Sequence, residues 1–201
     1  MLSYYLKIMA QFIAFNQEVE VNRQTVLSVV NSMEARKEAR LDILKKNGID
    51  TENNDWFLQQ SWLNAFQDIA TMLGDMNLFL IGKAIIDNAE FPPINNLEEG
   101  LRSIDVAYHM NHRLNGQVMF DPTTGKTTDG IGHYTLKQFD DEQRAATMVC
   151  TNPYPSKFDE GIITQVVRRF KPARSTDKVE LDLGQGSRTE GGESCTYLIT
   201  W

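Results

Sequence analysis

The chain has 201 residues, of which 41% are hydrophobic and 23% charged, and a formal net charge of -7. That length buries one sizeable core, and the acidic balance argues against nucleic acid or an anionic membrane surface as partner. Cys150 and Cys195 are the only cysteines, too few for a secreted disulfide framework, so a reduced, cytoplasmic setting is expected.

In chain order, Leu2, Tyr5, Leu6, Met9, Phe12 and Ile13 recur at helical spacing and predict an amphipathic first helix. One lysine, Gln11 within the run and no cleavage site argue against a signal peptide. The run is also too short to span a bilayer, so no membrane insertion is expected. Asn22 is a candidate cap for a second helix through Val26, Val29, Val30 and Met33. The segment 34–46 carries an apolar seam, and Asn47-Gly48 stops it. A further helix is predicted from Asn54 or Asp55 through Trp56, Phe57, Trp62, Phe66, Ile69 and Leu73, broken by Gly74-Asp75, with a compact apolar run at 76–86. Pro92-Pro93 makes 88–96 an extended linker and the candidate internal boundary.

Leu97 to Leu114 reads as one more helix, with Gly116 just beyond its end. The period then changes. Gln117–Asp121 and Lys126–Phe139 predict a hairpin about Pro122–Gly125, and Ala145–Cys150 a further strand. Phe158–Phe170 reads as a helix, and Lys178–Leu183 and Cys195–Trp201 as closing strands. The fold class is therefore α+β: a helical N-terminal half packed on one face of an antiparallel sheet, with a β-α-β-β C-terminal unit. The organisation expected is a helical region, 1–90, that supplies a pocket wall or dimer element, and an α+β sensory-type domain, 97–201, the two in one compact unit.

Two islands stand out near the end. Cys150-Thr-Asn-Pro-Tyr-Pro-Ser-Lys-Phe-Asp-Glu-Gly161 sets a Pro-X-Pro turn before a helix, and Gly191-Gly-Glu-Ser-Cys195-Thr-Tyr-Leu-Ile-Thr-Trp201 sets a glycine turn before a strand. This ending resembles that of the 4-vinyl reductase (hydrocarbon-binding) sensory domains over Leu97 to Trp201. That family is related in fold to transport-particle subunits that hold an acyl chain and to heme nitric-oxide sensors. The resemblance implies a small-molecule-binding sensory domain. Where the family often has cysteines, this chain has Ser156 and Ser187. A hydroxyl is a poor zinc ligand, so no metal is carried over from the resemblance.

No phosphate-binding loop or nucleophile elbow occurs, and no enzymatic activity is expected. Trp62, Phe66, Phe79, Tyr108, His109, Met119 and Tyr134 are the candidate lining of an apolar pocket for a hydrophobic or tetrapyrrole-like ligand. They serve equally as a closed core. His109, His112 and His133 are the candidate cofactor ligands: imidazole is the usual axial ligand of heme iron. His109 and His112, three apart on a helix, could also face one metal, although two histidines do not complete a site. Cys150 and Cys195 are expected on strands of one sheet. Arg168, Arg169, Lys171 and Arg174 form a basic patch at a helix end, where the dipole favours cations. The expected function is ligand sensing through helix and homodimer rearrangement, with a signalling partner on a separate protein or on a longer chain of which this is a piece. A heme-based gas sensor or a tetrapyrrole-processing accessory enzyme is the alternative.

Overall fold

The computed structural model describes residues 11–201. The expected first helix falls largely outside the described residues, and its continuation through Phe12 and Ile13 is a turn, with Phe12 at φ 63. The chain then forms β1 (Val19–Asn22), α1 (Arg23–Asn31) and α2 (Lys37–Lys46). β2 (Trp56–Leu58) follows, then α3 (Gln59–Leu73) and α4 (Asp75–Asn88). After the Pro92-Pro93 stretch come α5 (Leu97–Met110), β3 (His112–Leu114), β4 (Gln117–Val118), β5 (Phe120–Asp121) and β6 (Lys126–Thr127). The remainder is β7 (Tyr134–Asp140), β8 (Ala145–Cys150), α6 (Ser156–Phe170), β9 (Lys178–Leu181) and β10 (Cys195–Thr200).

Local chemistry explains the boundaries. The Asn22 side chain accepts from the Thr25 N–H at 2.8 Å and starts α1. Asn96 does the same for Glu99 at the head of α5. Gly48, at φ 77, ends the α2 segment in a conformation glycine adopts at no steric cost. Two expectations are corrected. Trp56 and Phe57 are strand, not helix, because Phe57 pairs with Val21 and buries its ring. The helix predicted to Leu114 stops at Met110, because His112–Leu114 pairs with Val19–Val21.

Two four-stranded antiparallel sheets result. One runs β2-β1-β3-β4 and joins strands from both sides of the Pro92-Pro93 stretch. The other runs β7-β8-β10-β9, with a register shift between Leu136 and Gln138. Its inner face presents Ala146, Met148 and Cys150 from β8 and Cys195, Tyr197 and Ile199 from β10, alternating with outward residues as the pleat requires. Helices α5 and α6 pack against this sheet, and α4 packs on α6. That helix pair meets backbone to backbone. A Cβ on Gly161 would collide with the Phe79 carbonyl, and one on Gly82 with the Phe158 carbonyl.

A buried ion pair fixes the turn between β8 and α6. Asp159 and Arg188 have no exposed surface, and their side chains bond directly. The Arg188 guanidinium also bonds the Asn152 carbonyl and side-chain oxygen, the latter at 2.9 Å, while Nε approaches Cys195 Sγ at 3.4 Å. Tyr134 donates to Asp159 at 2.6 Å, and Asn152 at 3.2 Å. Burial pushes the Asp159 carboxyl up, and Arg188, Tyr134 and Asn152 pull it back. Burial also opposes the charge on Arg188, but Asp159, Cys195 and Cys150 together outweigh it and hold the guanidinium pKa above its ordinary value.

Two stability measurements follow. Gly161→Ala, which would gain roughly 0.5–1 kcal/mol on an exposed helix, should instead cost about 1–3 kcal/mol through overpacking, read by urea denaturation. Arg188→Met should cost about 3–5 kcal/mol by stranding a buried carboxylate, and the double variant Asp159→Leu/Arg188→Met should regain most of it.

Candidate histidine-centred site

The last turn of α5 and the loop before β7 bring three titratable side chains together. Asp105 projects from α5, and its Oδ1 accepts from the Tyr134 N–H at 2.8 Å. Its Oδ2 lies 3.2 Å from His133 Nδ1, and the other nitrogen of that ring lies 3.2 Å from Asp129 Oδ1. One turn along the helix, His109 Nδ1 donates to the Asp105 carbonyl at 2.8 Å. The His109 ring stacks on His133 with centroids 4.8 Å apart. His109 is fully buried, and its Nε2 has no hydrogen-bond partner among the described residues.

The loop geometry depends on Gly132. It sits at φ 75, and a Cβ there would strike the Thr151 carbonyl and the Phe15 ring. Only glycine lets the chain pass β8 closely enough for His133 N–H to donate to Thr151 Oγ1 at 2.9 Å.

His112 is elsewhere. It is in β3, not on the helix, and its Nδ1 donates to the Tyr108 carbonyl at 2.7 Å. That fixes the tautomer, so Nε2 accepts from the Tyr154 hydroxyl at 3.1 Å. The expected pairing of His109 with His112 is therefore corrected: His133 is the partner of His109. Asp105 and Asp129, which hold His133, were missed; neither has a motif around it, and only the fold brings them together.

The three histidines sit in different electrostatic surroundings. Burial pushes the His112 pKa down to about 4. Burial also lowers that of His109, against the pull of the Asp105 carbonyl and carboxylate. Burial works against a charge on His133 as well, but Asp105 and Asp129 outweigh it and hold its pKa above the ordinary histidine value.

The expected pocket residues sit in a filled interior. Trp62 stacks on Phe66 with centroids 5.1 Å apart, and Phe66 meets Phe158 edge-on at 5.1 Å. Tyr108 donates to the Ile131 carbonyl at 2.7 Å and packs on Tyr134 at 5.4 Å. Met119 is buried in the same core cluster, whereas Phe79 is half-buried on α4. Two hollows that open to solvent, at 41–53 and beside 95–98 and 170–172, touch no histidine.

Cys150 and Cys195 pair directly across β8 and β10 as free, buried thiols, and burial pushes the Cys150 thiol up. Ser187 bonds Thr189 at 2.6 Å, and the Ser156 carbonyl accepts from Tyr197 at 2.7 Å. The Arg188 guanidinium against Cys195 disfavours a metal cation there. In the basic patch, Arg168 pairs with Asp177 at 2.8 Å and Arg169 donates to the Ile86 carbonyl at 2.9 Å.

No family profile and no curated protein sequence matches the chain. Solved structures do match in fold. An oxygen-binding H-NOX domain related to soluble guanylate cyclases, in its oxygen complex, is 11% identical, with a TM-score of 0.55, over 89% of this chain and 94% of that one. An H-NOX protein from S. oneidensis is 10% identical, with a TM-score of 0.52, over 89% and 93%. A structure reported for the modulation of heme redox potential through porphyrin distortion is 13% identical, with a TM-score of 0.55, over 90% and 99%. The chain therefore has the fold of H-NOX domains, an α+β architecture.

His112 titration gives a stability prediction. Its folded pKa is depressed, so its contribution is present above the ordinary value of about 6.5 and is lost as pH falls toward about 4. The loss should reach about 3 kcal/mol, and His112→Gln should remove that part of the pH slope in denaturation curves.

Proposed function

We propose that this chain is a ligand-binding sensory domain and not an enzyme. The observation that carries this reading is the fold likeness to H-NOX domains, which spans 89–90% of this chain and 93–99% of theirs. The finer kinship to 4-vinyl reductase domains rests on the two islands of the ending, with Pro153, Pro155 and Gly161 in the first and Gly191, Gly192 and Cys195 in the second. The proposed setting is cytoplasmic, and the proposed output is a rearrangement of helices felt by a second copy or a signalling partner. None of the described helices is long and apolar enough to cross a membrane.

The neighbours make heme the first ligand to weigh, ahead of a free hydrocarbon, and the residues decide whether it fits. A donor exists, since His109 Nε2 is buried and unpartnered. His112 has both nitrogens engaged, and both nitrogens of His133 face carboxylates. Space is lacking. Trp62, Phe66, Tyr154 and Phe158 pack ring against ring, and α4 touches α6 through Gly82 and Gly161. Opening a slot for a porphyrin would break the close packing on which the core's stability rests. Heme does not fit this chain as folded, and a smaller ligand is proposed.

Titration of the purified protein with hemin, followed by absorbance, tests this. The expected spectrum is that of free hemin, with native mass spectrometry showing no mass increment of a heme. A sharp, saturable Soret band that His109→Leu abolishes would overturn the heme-free reading and establish the gas-sensor alternative.

A further inference from the structure

We propose that Asp105, His109 and His133 form a binding site for one divalent transition-metal ion, with zinc as the expected occupant. One potential donor atom from each residue lies within 4.8 Å of the other two. Two imidazoles and a carboxylate form a donor set that suits zinc and its first-row neighbours, with bonds of about 2.0–2.2 Å. Tetrahedral donors on such bonds stand about 3.4 Å apart, so the three side chains need to converge by little more than an ångström.

The surrounding contacts are those that orient metal ligands. Metal-bound histidines donate their second nitrogen to a carboxylate or a backbone carbonyl, which fixes ring and tautomer. Here Asp129 faces His133 Nε2 at 3.2 Å, leaving Nδ1 toward Asp105. The Asp105 carbonyl takes His109 Nδ1, which also lies 3.6 Å from the Asp105 carboxylate, and Nε2 is a buried nitrogen without a partner among the described residues. The Asp105 carboxylate is itself steadied by the Tyr134 N–H at 2.8 Å. Such an unpaired buried nitrogen costs free energy that a bonded ion would return. Three protein donors leave a fourth position open for water or a small exchangeable ligand. Asp129, whose side chain is 97% exposed, marks the solvent side. The site stands on this geometry alone; heme held by His109 would take the same nitrogen, so zinc uptake is read on heme-free protein.

Zinc titration of the chelator-treated protein by calorimetry tests it, with cobalt absorption reporting geometry. One saturable ion per chain is expected. His133→Ala and Asp105→Asn should each weaken it by more than about a hundredfold, beyond the 10–100-fold carried by outer partners. Asp129→Asn, on an exposed carboxylate and safe for folding, should cost about tenfold. His112→Gln should change nothing. In the unsubstituted protein, zinc should shift the imidazole nitrogen resonances of His109 and His133 and spare His112. Absence of saturable uptake, an affinity indifferent to these substitutions, or shifts confined to His112 would overturn the proposal.

Discussion

Taking Asp159 and Arg188 out of water carries a heavy desolvation cost, and much of the C-terminal unit is arranged around meeting it. Isolated buried charges are untenable, and a buried pair persists only where its remaining donors and acceptors are also satisfied. Arg188 meets the Asp159 carboxylate, the Asn152 carbonyl and amide oxygen and the Cys195 sulfur, while Tyr134 and Asn152 donate to Asp159. Those partners come from β7, the turn after β8, α6 and β10. The turn that Pro153 and Pro155 stiffen therefore also delivers Asn152 to the pair. The glycine turn at 191–192 follows the short helix that carries Arg188. Both islands of the ending serve one buried salt bridge.

The same ending bears on the interior. H-NOX neighbours share the fold, but a fold does not carry a cofactor with it. In this chain the glycines at 82 and 161 let α4 and α6 close to backbone contact, and aromatic rings fill the space between α3 and α6. Trp62, Phe66 and Phe158 take up that space ring against ring. The polar chemistry is displaced to the outer end of α5, where Asp105 and His109 share one helix face with the β7 loop.

What was legible followed local rules. Asn22 and Gly48 bound their helices as the caps predict, and the alternation in Ala145–Cys150 and Cys195–Thr200 placed both cysteines on facing strands. What was hidden needed long-range pairing. Val19–Asn22 alternates but is only four residues long, and it becomes a strand because Phe57 and His112 arrive on either side of Val21. The same pairing took Trp56 and His112 out of the helices that their spacing suggested. His133, between Gly132 and Tyr134, has no histidine or cysteine nearby in sequence. Its partners, Asp105 and Asp129, lie 28 and four residues away, and no periodicity links them. The inward face of the aromatics could be read from spacing, but whether they surround a cavity or fill it depends on helix separation, which two glycines decide.

The two polar centres are joined by one residue. Tyr134 donates its backbone N–H to Asp105 at 2.8 Å and its hydroxyl to Asp159 at 2.6 Å. A change in charge beside Asp105 would alter the acceptor strength felt by the Tyr134 backbone at the start of β7. The Tyr134 ring is buried against Tyr108, so a displacement of that backbone is not absorbed by solvent. It is passed to the hydroxyl on Asp159, and so to the first turn of α6, whose packing on α4 through Gly161 leaves no slack. Coupling of this kind needs a contiguous chain of stiff contacts between elements with distinct arrangements. Here such contacts run from Asp105 on α5 through a single tyrosine to Asp159 in the first turn of α6.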